Sequence, residues 1–255
     1  MALLKATKLS KVFGGLRAVS NFGIEINPGE LVGLIGPNGA GKTTAFNMLT
    51  GVYEPTEGEI EFDGKSIVGL KPYQVTQRGV ARTFQNIRLF SDLTVLDNVK
   101  IAYHFHVKYG LLESILRVGR YHQEEAEIEE KAIRFLEIFK LEHKKDEIAR
   151  NLPYGEQRRL EIARALAAQP RLLLLDEPAA GMNPQETQQL MDMIRWIRKE
   201  FNLTILLIEH DMNLVMGVCE RIYVLEYGSI IAHGTPHEIK NNPRVIEAYL
   251  GEEVH

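Results

Sequence analysis

The chain has one cysteine, one tryptophan, little net charge and no long apolar run, and each shortage removes a class of protein. Cys219 is alone among 255 residues and closes no internal disulfide, so a disulfide-stapled scaffold is excluded and a reducing cytoplasm is expected. Its expected place is as a small apolar filler. With 30 basic against 34 acidic residues and a formal charge of −4, there is no global basic field to hold a phosphate backbone. No nucleic-acid partner is therefore expected. No stretch approaches the roughly 18 apolar residues of a membrane span, and Met1-Ala2-Leu3-Leu4-Lys5 lacks the basic start and apolar core of a signal peptide. The expectation is a chain with no transmembrane segment. Apolar content of 45% and charged content of 25% are ordinary for a globular protein of one large domain or two small ones.

What is present is organised around Gly36-Pro37-Asn38-Gly39-Ala40-Gly41-Lys42-Thr43-Thr44. It fits the phosphate-loop pattern G-x-x-x-x-G-K-[ST], between the apolar run Leu31–Ile35 and a helix-like run, Ala45–Leu49. A triphosphate carries several negative charges, and a helix start offers unpaired N–H groups and the positive end of a dipole. The three glycines let successive amides turn inward as a nest without Cβ atoms blocking the phosphates. Lys42 is expected to reach the β- and γ-phosphates, and the Thr43 hydroxyl to ligate Mg²⁺.

Before the loop, Leu3–Leu9 and Ala18–Ile26 read as strands, and Phe13, beside Gly14-Gly15, is a candidate to stack on a nucleotide base. After it, an alternating strand over Glu59–Phe62 closes at Asp63-Gly64, so an antiparallel β patch is expected beside the core. Residues 80–84 read as another strand. From Thr94 to about Ile148 the pattern turns helical: Ile128, Ala132, Phe135, Leu136 and Phe139 recur at helical spacing above an acidic, solvated face. The pair His104 and His106 has no convergent cysteine or carboxylate pattern, which argues against a metal site. Gly155–Ala168 reads helical. Leu172-Leu173-Leu174-Leu175 then runs into Asp176-Glu177, a buried parallel strand delivering two acids to its C-terminal edge, where ligands sit in open α/β sheets. Helices over Pro184–Phe201 and Met212–Cys219 flank a strand over Leu203–Ile208, a hairpin follows around Tyr227-Gly228, and a helix over Pro243–Leu250 closes the pattern.

Phosphoryl transfer to water requires charge neutralisation and a positioned nucleophile. Asp176 is placed to hold the magnesium shell through water, and Glu177 to orient the attacking water or accept its proton. His210, after the second apolar strand, is the candidate contact for the γ-phosphate. Gln85 is the candidate to touch both the metal shell and the water.

In this order, the phosphate loop, Gln85, Leu152-Pro153-Tyr154-Gly155-Glu156-Gln157, Leu172–Glu177 and His210 resemble the nucleotide-binding subunits of ABC transporters. The segment before the Gly155 helix is similar to that family's Leu-Ser-Gly-Gly-Gln signature. Phe13-Gly14-Gly15-Leu16, Arg82-Thr83-Phe84-Gln85, Leu89-Phe90, Glu177-Pro178-Ala179-Ala180-Gly181-Met182-Asn183, Ile208-Glu209-His210-Asp211 and Ala248-Tyr249-Leu250-Gly251 resemble the larger ATPase subunit of branched-chain amino-acid importers. The resemblance implies an ATPase of α/β class: a phosphate-loop ABC core with a mainly parallel sheet, a flanking antiparallel β subdomain and an inserted helical subdomain. It would occupy 1–255 as one domain, with core and β subdomain from 1–90 and 155–255 and the helical subdomain from 91–154. It further implies ATP and Mg²⁺, and a head-to-tail dimer with an identical or paralogous ATPase in which Gly155 and Gln157 face the partner's nucleotide. Permeases at the cytoplasmic face of the membrane and an extracellular or periplasmic binding protein complete the implied importer.

Pro153 and Tyr154 stand where the family signature has Ser and Gly, and Asn183 where its following loop has Asp. Glu177 and His210 are intact, so hydrolysis is expected. The alternative of an ABC ATPase acting on ribosomes or nucleic acid is disfavoured by the single cassette and the absence of a basic patch. A small-molecule kinase would leave the signature segment unexplained.

Overall fold

Three five-residue strands, β3 (Leu31–Ile35), β7 (Leu172–Asp176) and β8 (Thr204–Ile208), are buried at every position. Strands hidden on both faces belong to the middle of a parallel sheet. In the computed structural model they lie in a six-stranded sheet of order β10-β9-β3-β8-β7-β6, with β6 at Val80–Arg82, β9 at Arg221–Glu226 and β10 at Ser229–Gly234. Every pairing is parallel except the β9–β10 hairpin at one edge. A second sheet, antiparallel and of order β2-β1-β4-β5, uses Leu4–Phe13 (β1), Leu16–Ile26 (β2), Glu57–Phe62 (β4) and Lys65–Ser66 (β5). The structure describes residues 1–250 apart from 104–106, 108, 109 and 117, so the histidines 104 and 106 lie outside the described residues.

The chain divides into two compact units. The first takes Met1–Arg82 and Arg171–His255, the second Thr83–Pro170. In the first, both sheets close on one apolar core that includes Phe22, Phe46, Phe62, Leu174 and Leu206. Its helices are α1 (Lys42–Leu49), α2 (Pro72–Gln77), α7 (Pro184–Glu200), α8 (Met212–Val218), α9 (Pro236–Lys240) and α10 (Pro243–Leu250). α7 follows from its sequence. Asn183 caps it, Pro184 starts it, Leu190, Ile194 and Ile197 form its buried stripe, and Arg198 and Lys199 complement the dipole at its end. α2 and α9 were not expected, being too short for periodicity to register. α9 nevertheless carries a readable start signal, since Thr235 and Glu238 form a capping box.

The second unit is helical: α3 (Val95–Tyr103), α4 (Leu111–Leu116), α5 (Tyr121–Ile138) and α6 (Tyr154–Ala167). It is wider than the 91–154 segment read from the sequence because α6 packs against α3 and α5. On α5 the buried positions are Ile128, Ala132 and Leu136, four apart, while Glu125 and Glu129 reach Lys100 on α3. Asn98 holds the approach to α3: its Oδ1 accepts the Phe90 amide at 2.9 Å, and its Nδ2 donates to Phe90 O and Thr94 O.

Candidate functional site

The loop between β3 and α1 is shaped by backbone that only glycine tolerates. A Cβ on Gly36 would stand 2.0 Å from Leu225 O, and one on Gly41 2.7 Å from Ala18 O, both at positive φ. The Gly228 amide donates to Ala40 O at 2.8 Å and the Ser20 amide to Gly228 O at 2.8 Å, so the β9–β10 turn and β2 brace the loop from behind. Its outer wall is open, since a Cβ on Gly39 would meet nothing within 4 Å. Lys42 is 7% exposed, with Nζ donating to Gly36 O at 2.6 Å and Pro37 O at 2.8 Å. α1 has no side-chain cap and no acid in its first turn. A buried ammonium and an uncapped helix start beside open space suit a polyanion, and this supports the phosphate reading of residues 36–44.

Asp176 ends β7 and is 4% exposed. Arg82 Nη2 donates to its Oδ2 at 2.6 Å, while Arg82 Nη1 reaches Asn47 Oδ1 at 2.7 Å and Thr50 Oγ1 at 3.3 Å. One guanidinium thus ties β6 to β7 and to α1. Thr43, exposed in the first turn of α1, and Asp176 are hard oxygen donors of the kind Mg²⁺ takes together with phosphate oxygens. Among the described residues no group of three or more His, Cys, Asp or Glu converges on a metal position.

Glu177 has φ 44°, a left-handed backbone that costs a residue with a Cβ about 1–2 kcal/mol. Its amide donates to Ile208 O at 2.9 Å, and its carbonyl accepts the Ala180 amide at 3.2 Å. Strain of this kind gathers at functional sites. His210 Nδ1 lies 3.7 Å from Glu177 Oε2, with the histidine largely exposed and the glutamate side chain mostly buried. Between the two loops sits Glu209, 0% exposed. Its Oε1 accepts the Ala179 amide at 2.7 Å, and its Oε2 the His210 and Asp211 amides at 3.1 and 3.5 Å. Burial pushes the Glu209 carboxyl up, against the lowering effect of those three amides.

In the second unit, Gln85 is exposed and its carbonyl accepts Arg158 Nη2 at 2.8 Å. Arg158 is 0% exposed and also donates to Phe84 O at 2.7 Å and to Glu161 Oε2 at 2.8 Å. Glu161, 1% exposed, returns an acceptor to the Arg88 amide at 3.1 Å. A buried ion pair on α6 therefore holds the Gln85 loop against that helix, whose first turn includes Gly155. Gln157 turns back on its own loop, donating to Leu152 O at 2.8 Å.

The ABC transporter family profile matches residues 19–180, and that of the branched-chain amino acid ATP-binding cassette transporter matches residues 229–255. The first covers more than half of the chain and the whole span from the phosphate loop to Glu177. The chain belongs to the ABC transporter ATP-binding cassettes. The cassette is 50% identical over 250 residues to the high-affinity branched-chain amino acid transport ATP-binding protein LivG of Escherichia coli K12, covering 98% of each chain. Among solved structures it is similar to the ADP conformation of MJ1267, an ATP-binding cassette of an ABC transporter, with TM-score 0.85 and 32% identity over 98% of this chain and 99% of that one. It is also similar to the dimeric post-hydrolysis state of the cassette MJ0796 bound to ADP and Pi, with TM-score 0.76 and 26% identity over 91% and 98%. The fold is the α/β phosphate-loop architecture expected from the sequence, and the cassette is an ATP-binding ATPase.

Asn183, Pro153 and Tyr154 have local roles in the cassette. Asn183 Oδ1 accepts the Gln185 and Glu186 amides at 3.0 Å, so it caps α7 as an aspartate would. Pro153 precedes the first turn of α6, its carbonyl accepting the Glu156 and Gln157 amides. Tyr154 Oη meets Arg158 Nη2 at 3.2 Å. Phe13 is 40% exposed, with the Tyr53 ring edge-on at 5.2 Å and Lys11 Nζ 5.2 Å from its centroid. Sequence reasoning assigned no role to Arg82, Arg158, Glu161 or Glu209. The available signal was charge inside otherwise apolar patterns, at Glu161 within a buried helix stripe and at Glu209 directly after a buried strand.

Proposed function

We propose that this cassette energises import of branched-chain amino acids by hydrolysing ATP at the cytoplasmic face of the membrane. The observation that carries the reading is similarity to LivG over nearly the whole chain, together with the branched-chain profile over residues 229–255. No helix among its described residues is long and apolar enough to cross a membrane, which is compatible with a place at the membrane face. Permeases and an extracellular or periplasmic binding protein supply the pathway and the cargo recognition.

In this reading the amides of residues 36–44 and the Lys42 ammonium take the triphosphate, and Phe13 stacks on the base. Thr43 would ligate Mg²⁺ and Asp176 would hold it through water, with Gln85 at its shell; the ion would neutralise phosphate charge. Glu177 orients a water and takes its proton as the oxygen bonds to the γ-phosphorus and the bond to ADP breaks, releasing inorganic phosphate. His210 contacts the γ-phosphate. A second cassette, identical or paralogous, brings its own Gly155 and Gln157 to the same nucleotide, so ATP closes the pair and hydrolysis reopens it.

The test is Glu177→Gln with and without Mg-ATP, followed by light scattering. The expected result is ATP bound without turnover and a shift from monomer to dimer. Turnover at the wild-type rate would move the base elsewhere. For cargo, deletion of the gene should lower leucine, isoleucine and valine uptake by cells, and unchanged uptake of all three would sink the substrate assignment.

A further inference from the structure

Glu177 must hold its carboxylate at a water and a phosphate, yet its own backbone is the unfavourable part of its loop, at φ 44°. What keeps it there has to come from groups the strained turn can lean on. One is the Glu177 amide bond to Ile208 O at the end of β8. Another is Glu209, one residue further on, which reaches back to the Ala179 amide at 2.7 Å. The same carboxylate accepts the amides of His210 and Asp211 through its second oxygen.

The geometry points to Glu209 as a positioning residue for hydrolysis, a buried carboxylate that fixes the turn carrying Glu177 and the turn carrying His210 in one register. This rests on the ATPase reading above and adds a member to its machinery. Two features distinguish it from an ordinary core group. The carboxylate is fully buried, where a carboxylate is disfavoured, and its three amide donors lie on the two loops that follow β7 and β8, the ones that present Glu177 and His210. An apolar side chain would fill the space, and a hydroxyl residue would reach one loop. Only an acceptor with two oxygens at the end of a two-carbon stem joins both. The residue is fully buried and presents no surface to solvent. Its effect is carried by where Glu177 and His210 stand when the water attacks, and a displacement of about 1 Å at such a group costs on the order of 100-fold in rate.

The experiment compares full-length wild type, Glu209→Ala and Glu209→Gln in steady-state ATP hydrolysis, with ATP affinity measured separately in the Glu177→Gln background where nucleotide is not consumed. Glutamine keeps the shape and one accepting oxygen, so it guards against a variant that fails to fold. The expected result is a fall in kcat of about 10–100-fold for Glu209→Ala, an intermediate fall for Glu209→Gln, and ATP affinity within about twofold of the parent. A folded Glu209→Ala with wild-type kcat overturns the inference. So does a parallel loss of ATP affinity and kcat, which marks a merely structural group. A wild-type protein, assayed with its partner cassette, that hydrolyses no ATP sinks the ATPase reading and this inference with it, whereas hydrolysis by wild type with unchanged kcat in the variants sinks this inference alone.

Discussion

Replacing Arg82 with methionine removes the charge and the guanidinium that lies over the Phe46 ring while keeping an unbranched side chain. The guanidinium carbon lies 5.5 Å from that ring, and the side chains of Arg82 and Asp176 are 8% and 6% exposed. Breaking one partner out of a buried pair costs about 3–5 kcal/mol, because the remaining charge stays desolvated. The lost bonds to Asn47 and Thr50 add about 0.5–1.5 kcal/mol each at most, and they overlap with the first figure because all share one side chain. A net loss of about 3–5 kcal/mol leaves a protein of typical stability folded at 25 °C and lowers Tm by about 6–20 °C. Thermal unfolding by circular dichroism reads this directly. The decisive measurement is the double-mutant cycle with Asp176→Asn. With the carboxylate already neutral, Arg82→Met should cost about 1–3 kcal/mol less than it does in wild type. Losses that add within about 0.5 kcal/mol would refute the claim that Arg82 stabilises the cassette through Asp176.

Two further outcomes concern other charged groups. Glu161→Ala leaves Arg158 without its carboxylate and should destabilise by about 3–5 kcal/mol in urea titration; a loss of about 0.5 kcal/mol, as for a surface site, would show that the buried pair does not hold the Gln85 loop. Burial pushes the Glu30 carboxyl up, but the Asn27 side chain and amide and the Arg221 guanidinium outweigh it and hold the group below its usual range. That contribution to stability is present above the unfolded value of about 4.3 and is lost as pH falls through the folded one. Glu30→Gln should therefore lower the urea midpoint at pH 7 and draw closer to wild type as the pH is lowered, and a gap independent of pH would contradict it.

The parts of this cassette legible in the sequence are those whose cause is local. Four leucines before Asp176 are buried because nothing polar interrupts them, and Gly36, Gly39 and Gly41 announce a loop whose backbone only glycine adopts. The groups that escaped reading have partners far along the chain. Arg82 finds Asp176 at a separation of 94 residues, Arg158 finds Phe84 at 74, and Glu209 finds Ala179 at 30. No periodicity encodes such pairs, because a charge in an apolar pattern shows that a partner exists without saying which. The extent of the helical unit escaped for a related reason: the amphipathic pattern of α6 shows that it packs, while its packing on α3 and α5 is set by tertiary contact. The capping box of α9 was local and readable, and it marks where a short element is worth seeking without periodicity.

The bracing of the phosphate loop has a consequence for how the chain is made. Of the atoms behind residues 36–41, Ala18 O is made before them, but Leu225 O and the Gly228 amide come almost 190 positions later. Until then Gly36 lacks the backbone it will fit against, and the ordering entropy of the loop is only partly offset. ATP then has no finished cradle to select. Binding competence is completed by the β9–β10 hairpin, so a nascent cassette that does not yet include it is not one that already consumes nucleotide.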